Sequence, residues 1–216
     1  MNRSAIVPAL AAVLLLGSLP AAAQYQGWTE YRPTSTLFNV GYQMSQPVGG
    51  LKDYIGAASF RGFTFDWRSR LFKDVSAGLR FNWNRFNETF PNLTATTATG
   101  GTLTGPVFRY MDQFAVQAIG HYYFNRGEQS MFVPYLGVGI GGVWSNTYQQ
   151  TADLGSSQDG FYFSVSPELG MMLTLARGST NASLNLGVSY NFTTASFRNV
   201  SNAQSLSETI SLAFAY

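Results

Sequence analysis

Four residues hold most of the reactive chemistry in this chain: Asp66, Arg80, His121 and Glu168. A guanidinium among carboxylates, shielded from water, forms either a neutralising plug or a gate that selects among permeating solutes. His121 is the only histidine, hence the only candidate for a histidine general base. No serine or carboxylate stands at a recognisable spacing from it, so no catalytic residue is assigned and no enzyme activity is expected. With one histidine, no cysteine and no run of carboxylates, no metal site is expected either.

A second candidate is the stretch YLGVGIGGVW, Tyr135 to Trp144. Gly137, Gly139 and Gly142 fit the G-x-G-x-x-G spacing that wraps a dinucleotide pyrophosphate when a helix follows. Here Ile140 to Trp144 continue an alternating pattern where that helix should begin, and no cofactor is expected. Gly137, Gly139 and Gly141 instead fall on successive positions of one strand face. Small residues there either make room for bulky neighbours or line a narrow passage.

These residues need elements to hold them, and from Ser35 onward the chain alternates with period two, the mark of strands whose two faces meet different surroundings. Eight segments show it. In the third, Val75, Ala77, Leu79, Phe81 and Trp83 form an apolar row against Ser76, Gly78, Arg80, Asn82 and Asn84. The same split places Asp66, His121 and Glu168 on the polar faces of the second, fourth and sixth. Pro167 lies inside the sixth and predicts a bulge or a shifted register, because proline donates nothing to a ladder.

Connections alternate too. Short turns are predicted at Arg68–Lys73, Asn125–Ser130 and Ala176–Thr180, and long loops at Pro47–Ala58, Asn87–Met111, Thr147–Asp159 and Thr193–Ser205. The second loop, with NLTATTATGGTLTG, is expected to be flexible. Trp67, Phe72, Tyr122, Phe124, Phe132 and Tyr216 gather at the turn end, and Trp83, Phe86, Trp144 and Phe161 at the loop end, as two interfacial girdles. An even number of alternating strands with short turns at one end predicts an all-β, eight-stranded, antiparallel up-and-down transmembrane β-barrel.

Composition agrees. Charged residues are only 11% of the 216, against roughly 25% in soluble domains. Before Gln24 the chain reads as a cleaved signal peptide over residues 1–23: Arg3, an apolar run Ala5–Leu16, then Ala21-Ala22-Ala23. The barrel domain is residues 24–216. Zero cysteines exclude disulfides, and a net charge of +2 without a basic run gives no sign of nucleic acid. A soluble sandwich or lipocalin-like barrel would also alternate, but with charges outside, whereas here the polar face is rich in Ser, Asn, Gln and Gly.

On these strands, and on the carboxyl-terminal ISLAFAY, the chain resembles small eight-stranded bacterial outer-membrane proteins of the opacity-protein, OmpX, OmpA-barrel and OmpW type. The resemblance implies a Gram-negative outer-membrane location and contact with outer-membrane lipid and lipopolysaccharide. It also implies that Phe214 and Tyr216 belong to a signal read by the barrel-assembly machinery. Some barrels of this size modify lipid A through a histidine, but His121 lies near a short turn rather than at the outer leaflet. Two roles remain open: a structural or surface-interaction protein whose four loops meet an extracellular ligand, or a narrow porin-like channel for small or apolar solutes.

Overall fold

The computed structural model describes residues 36–96, 101–124, 131–151, 154–176, 181–197 and 200–215. The signal-peptide reading of residues 1–23, the segment up to residue 35 and Tyr216 lie outside these. So do most residues of the turns at Asn125–Ser130 and Ala176–Thr180.

Alternation becomes eight strands. They are β1 Thr36–Val48, β2 Gly62–Phe72, β3 Val75–Thr96, β4 Thr102–Tyr123, β5 Phe132–Thr151, β6 Leu154–Ala176, β7 Asn181–Thr193 and β8 Gln204–Ala215. Each pairs antiparallel with its neighbours in chain order, and β1 pairs with β8, from Leu37 opposite Ala215 to Val48 opposite Gln204. Closure leaves no free edge along the ring, so backbone donors and acceptors are satisfied within it. β5 runs through Thr151 without a helix, so the glycine-rich stretch is strand throughout.

The side chains are sorted inside out. Phe38, Val40, Phe63, Trp67, Phe81, Phe114, Leu136, Ile140, Leu169, Ile210 and Leu212 are exposed on the outer face. Asn39, Thr64, Gln117, Ser166, Asn185 and Ser211 are buried inside. Large apolar side chains facing out and polar ones facing in is the reverse of a soluble domain.

Over their described residues, two of the predicted long loops are mostly paired strand. β3 and β4 stay paired through Asn87–Tyr110 and on to Thr96–Thr102, with a bulge between Phe90 and Leu93. β5 and β6 stay paired from Thr147–Gln158 to Thr151–Leu154. The described parts of the threonine-rich stretch expected to be flexible, up to Thr96 and from Thr102, therefore extend the sheet, as β-branched residues favour. The Thr94 and Thr104 hydroxyls share a hydrogen bond of 2.9 Å across it.

Pro167 causes neither bulge nor slip. It faces outward opposite Val138, and the β6–β7 register is the same at Val165–Phe192 as at Glu168–Ser189. The ladder omits the two positions between and resumes in step.

The other two loops fold inward. After β1, Gly49 takes φ 57° and starts the short helix α1, Gly50–Tyr54; before β8, Asn202 takes φ 59°. Both values lie in the left-handed region, open to glycine and tolerated by asparagine. They turn the two loops over the loop-end mouth of the barrel.

Candidate functional site

Alternation on β3 orders the lumen from the turn end to the loop end: Ser76, Gly78, Arg80, Asn82, Asn84, Phe86. On β4 the matching order is Tyr123, His121, Ile119, Gln117, Ala115, Gln113, Met111. The interior is thus layered: tyrosines and charges, then amides, then apolar residues.

In the charged layer Arg80 is central. It bonds the Glu168 carboxylate on β6 and, through Nη2, Asp66 Oδ2 on β2 at 3.1 Å. Tyr135 on β5 donates its hydroxyl to Glu168 Oε1 at 2.6 Å, and His121 Nε2 lies 3.5 Å from Glu168 Oε2. All four sequence-predicted polar residues therefore meet in one network.

Arg68 is a fifth member that the sequence reading places in a turn. β2 extends to Phe72, which puts Arg68 in the lumen, fully buried, with Nε 3.6 Å from Asp66 and Nη1 donating to the Tyr123 hydroxyl at 2.8 Å. Carrying the alternation Gly62, Thr64, Asp66 one step further finds it. With two arginines against two carboxylates the layer is neutral before His121 is counted, the condition for keeping such charges buried.

Gly137, Gly139 and Gly141 face this packed interior. A Cβ on Gly137 would stand 2.5 Å from the His121 ring, and on Gly139 2.9 Å from Gln117 Oε1. On Gly141 it would meet the Val116 carbonyl oxygen at 2.1 Å. The glycines give their space to His121, Gln117 and the neighbouring backbone. Tyr135 fills the room beside Gly170 and Gly187 in the same way.

Loopward of the charges lies a cavity of about 30 Å³. Its amides are Gln43, Asn82, Asn84, Gln113, Gln117 and Asn191, joined by serine and threonine hydroxyls. That is room for about two waters.

Above it sits a layer the sequence reading missed. Leu51, Tyr54 and Ile55 from the first loop pack on Ala195, Phe197, Val200 and Ala203 from the fourth, over Phe86 and Met111 from β3 and β4. Leu51, Ile55, Phe86, Met111 and Ala195 are completely buried. Phe86 therefore belongs to this cap and not to the outer girdle, since it shares the inward parity of Asn82 and Asn84. Arg109 secures the first loop. Its Nη1 donates to the Tyr54 carbonyl at 2.9 Å, and its guanidinium lies 4.8 Å from the Tyr54 and Phe90 ring centres.

A closed ring with an apolar exterior around a neutralised polar interior decides the architecture. The fold is that of a small eight-stranded membrane barrel. No protein-family model and no curated protein matches the chain. Among solved structures, the barrel is similar to Neisserial surface protein A at 14% identity and a TM-score of 0.49, over 83% of this chain and 94% of that one. It is also similar to the attachment invasion locus protein Ail of Yersinia pestis, at 10% identity and 0.49 over 84% and 98%. A third similar structure is OprG of Pseudomonas aeruginosa, at 13% and 0.44 over 84% and 95%.

Proposed function

We propose that this is an integral outer-membrane protein with a sealed lumen, acting through the surface that its projecting hairpins present. The observation that carries this reading is double closure. The Arg80–Glu168–Asp66 network spans the lumen, and the apolar cap over it is fully buried at its centre. An ion would have to part a neutralised charge network and then cross a dry apolar layer, each a barrier of several kcal/mol.

The paired extensions of β3–β4 and β5–β6 beyond the cap support the surface role. Residues 155–159 are exposed on both faces, as are Thr94, Thr102, Thr104 and Phe108. Strands already paired along their length present side chains at less entropic cost than open loops, which suits recognition of a partner outside the cell. Periplasmic termini and outward hairpins follow from placing the short turns inside.

A channel for small solutes is the competing reading, and the amide-lined cavity is its one supporting feature. Single-channel recording of the refolded barrel in a planar bilayer separates the two. Folded protein with no discrete openings is expected; openings abolished by Gly139→Leu would overturn the sealed-lumen reading.

A further inference from the structure

Gln113 on β4 and Asn84 on β3 stand directly opposite each other on the ladder, both turned inward, yet no hydrogen bond joins their amides. Both line the cavity of about 30 Å³ that lies between the charged layer and the apolar cap.

The other amides on that side of the cavity share one arrangement: each is tied to the wall at one end only. Gln43 Nε2 donates to the Ser45 and Ser207 hydroxyls, both at 3.3 Å. Asn82 Oδ1 accepts from the Thr64 hydroxyl at 2.7 Å, and Asn84 Oδ1 from that of Ser59 at 2.9 Å. Their other ends, Gln43 Oε1, Asn82 Nδ2 and Asn84 Nδ2, take no hydrogen bond among the described residues and open onto the cavity. Gln113 is open at both ends. The wall hydroxyls thus hold the amides in place, and the cavity meets a set of oriented donors and acceptors.

Those open ends set the chemistry of an occupant. An apolar molecule would leave buried donors and acceptors unsatisfied, which costs their desolvation without return. An ion would lack a counter-charge, because the lining is uncharged and Arg80 is already matched by Glu168 and Asp66. A neutral primary carboxamide meets both conditions. Its carbonyl accepts and its amino group donates within one plane, so it can close a two-bond ring with the Gln113 carboxamide. One lone pair of its carbonyl is left for Asn82 or Asn84, and one N–H for Gln43. Ala115 and Val143, also in the lining, meet its carbon side. Room for about two waters is room for about three bonded non-hydrogen atoms.

We propose that this cavity is a binding site for a small neutral primary carboxamide, of the size of formamide, taken up from outside the cell. The charge network closes the turn end to it, a point that rests on the sealed-lumen reading above. The ligand enters at the loop end, where the loops carrying Leu51 and Phe197 cover the mouth. The barrel is then a lidded cup rather than a channel.

Saturation-transfer NMR of the refolded barrel in perdeuterated detergent tests this with probes of equal size: formamide, formate as its charged counterpart, and acetonitrile, which is neutral and accepts but does not donate. Formamide is expected to saturate the site, to bind at least about tenfold more weakly to Gln113→Met, and to bind unchanged to Gln158→Met on the exposed part of β6. Gln113 makes no hydrogen bond among the described residues, so Gln113→Met should fold; heat-modifiable gel mobility checks this. Equal binding by Gln113→Met, or no saturation in the parent, overturns the site and leaves the cavity to water. Equal binding of formate or acetonitrile overturns the carboxamide assignment. The planar-bilayer recording described above needs no carboxamide, so failure of the sealed-lumen reading is seen separately from failure of the site.

Discussion

Arg80 on β3 reaches Glu168 on β6, three strands away around the ring, and holds Asp66 on the adjacent β2 with the same guanidinium. One side chain thus ties opposite walls of the barrel together. Removing it strands two buried carboxylates with only Arg68 to balance them.

Arg80→Met should therefore cost about 3–5 kcal/mol. Adding Glu168→Gln restores a neutral interior, with Asp66 and Arg68 left as a pair, and should recover most of that loss. Urea unfolding of the barrel in lipid vesicles measures both. A double variant no more stable than Arg80→Met would show that charge balance is not what the network supplies.

The lumen glycines should differ in tolerance despite sharing a strand face. At Gly141 a new Cβ meets the Val116 carbonyl at 2.1 Å and Gln117 Cα at 2.7 Å, both backbone atoms of the next strand. At Gly139 it meets the far end of the flexible Gln117 side chain at 2.9 Å. Gly141→Ala is expected to lose about 1–3 kcal/mol from overpacking, and Gly139→Ala less than about 1 kcal/mol. Equal losses in the same unfolding assay would mean the strands separate easily.

The cap should open without the barrel unfolding, because its loops contribute little to the ring ladder. Leu51→Ala removes a completely buried side chain whose loss typically costs about 2–5 kcal/mol. Trypsin cleavage at Lys52 should then accelerate tenfold or more at an unchanged global unfolding midpoint. Unchanged cleavage would show that the first loop is held by something other than this packing.

Arg109→Ala removes the charged hydrogen bond to the Tyr54 carbonyl, worth about 1.5–3 kcal/mol, together with the stacking on Tyr54 and Phe90. Amide exchange at Ile55, whose N–H bonds the Leu51 carbonyl, should quicken by tenfold or more. Exchange as slow as in the parent would assign the latch to the apolar contacts alone.

Facing is a local property of a strand, so a period of two was enough to turn Asp66, Arg80, His121 and Glu168 toward one side and Phe63, Trp83 and Phe114 toward the other. Arg68 and Phe86 obey the same parity and were equally legible; a turn placed too early hid the first, and a girdle assignment misread the second. Pro167 looked like a break, yet the β5–β6 ladder carries its position and the β6–β7 register resumes unchanged. What the chain alone did not determine is which inward residues meet. Arg80 finds Glu168 only because the sheet closes with a particular tilt and stagger, and stagger is a property of all eight strands together. The cap lay furthest from view. Leu51, Ile55, Phe197 and Val200 sit in segments with no periodicity, and their burial arises only when two loops more than a hundred residues apart meet over Phe86 and Met111 at the mouth of the closed barrel.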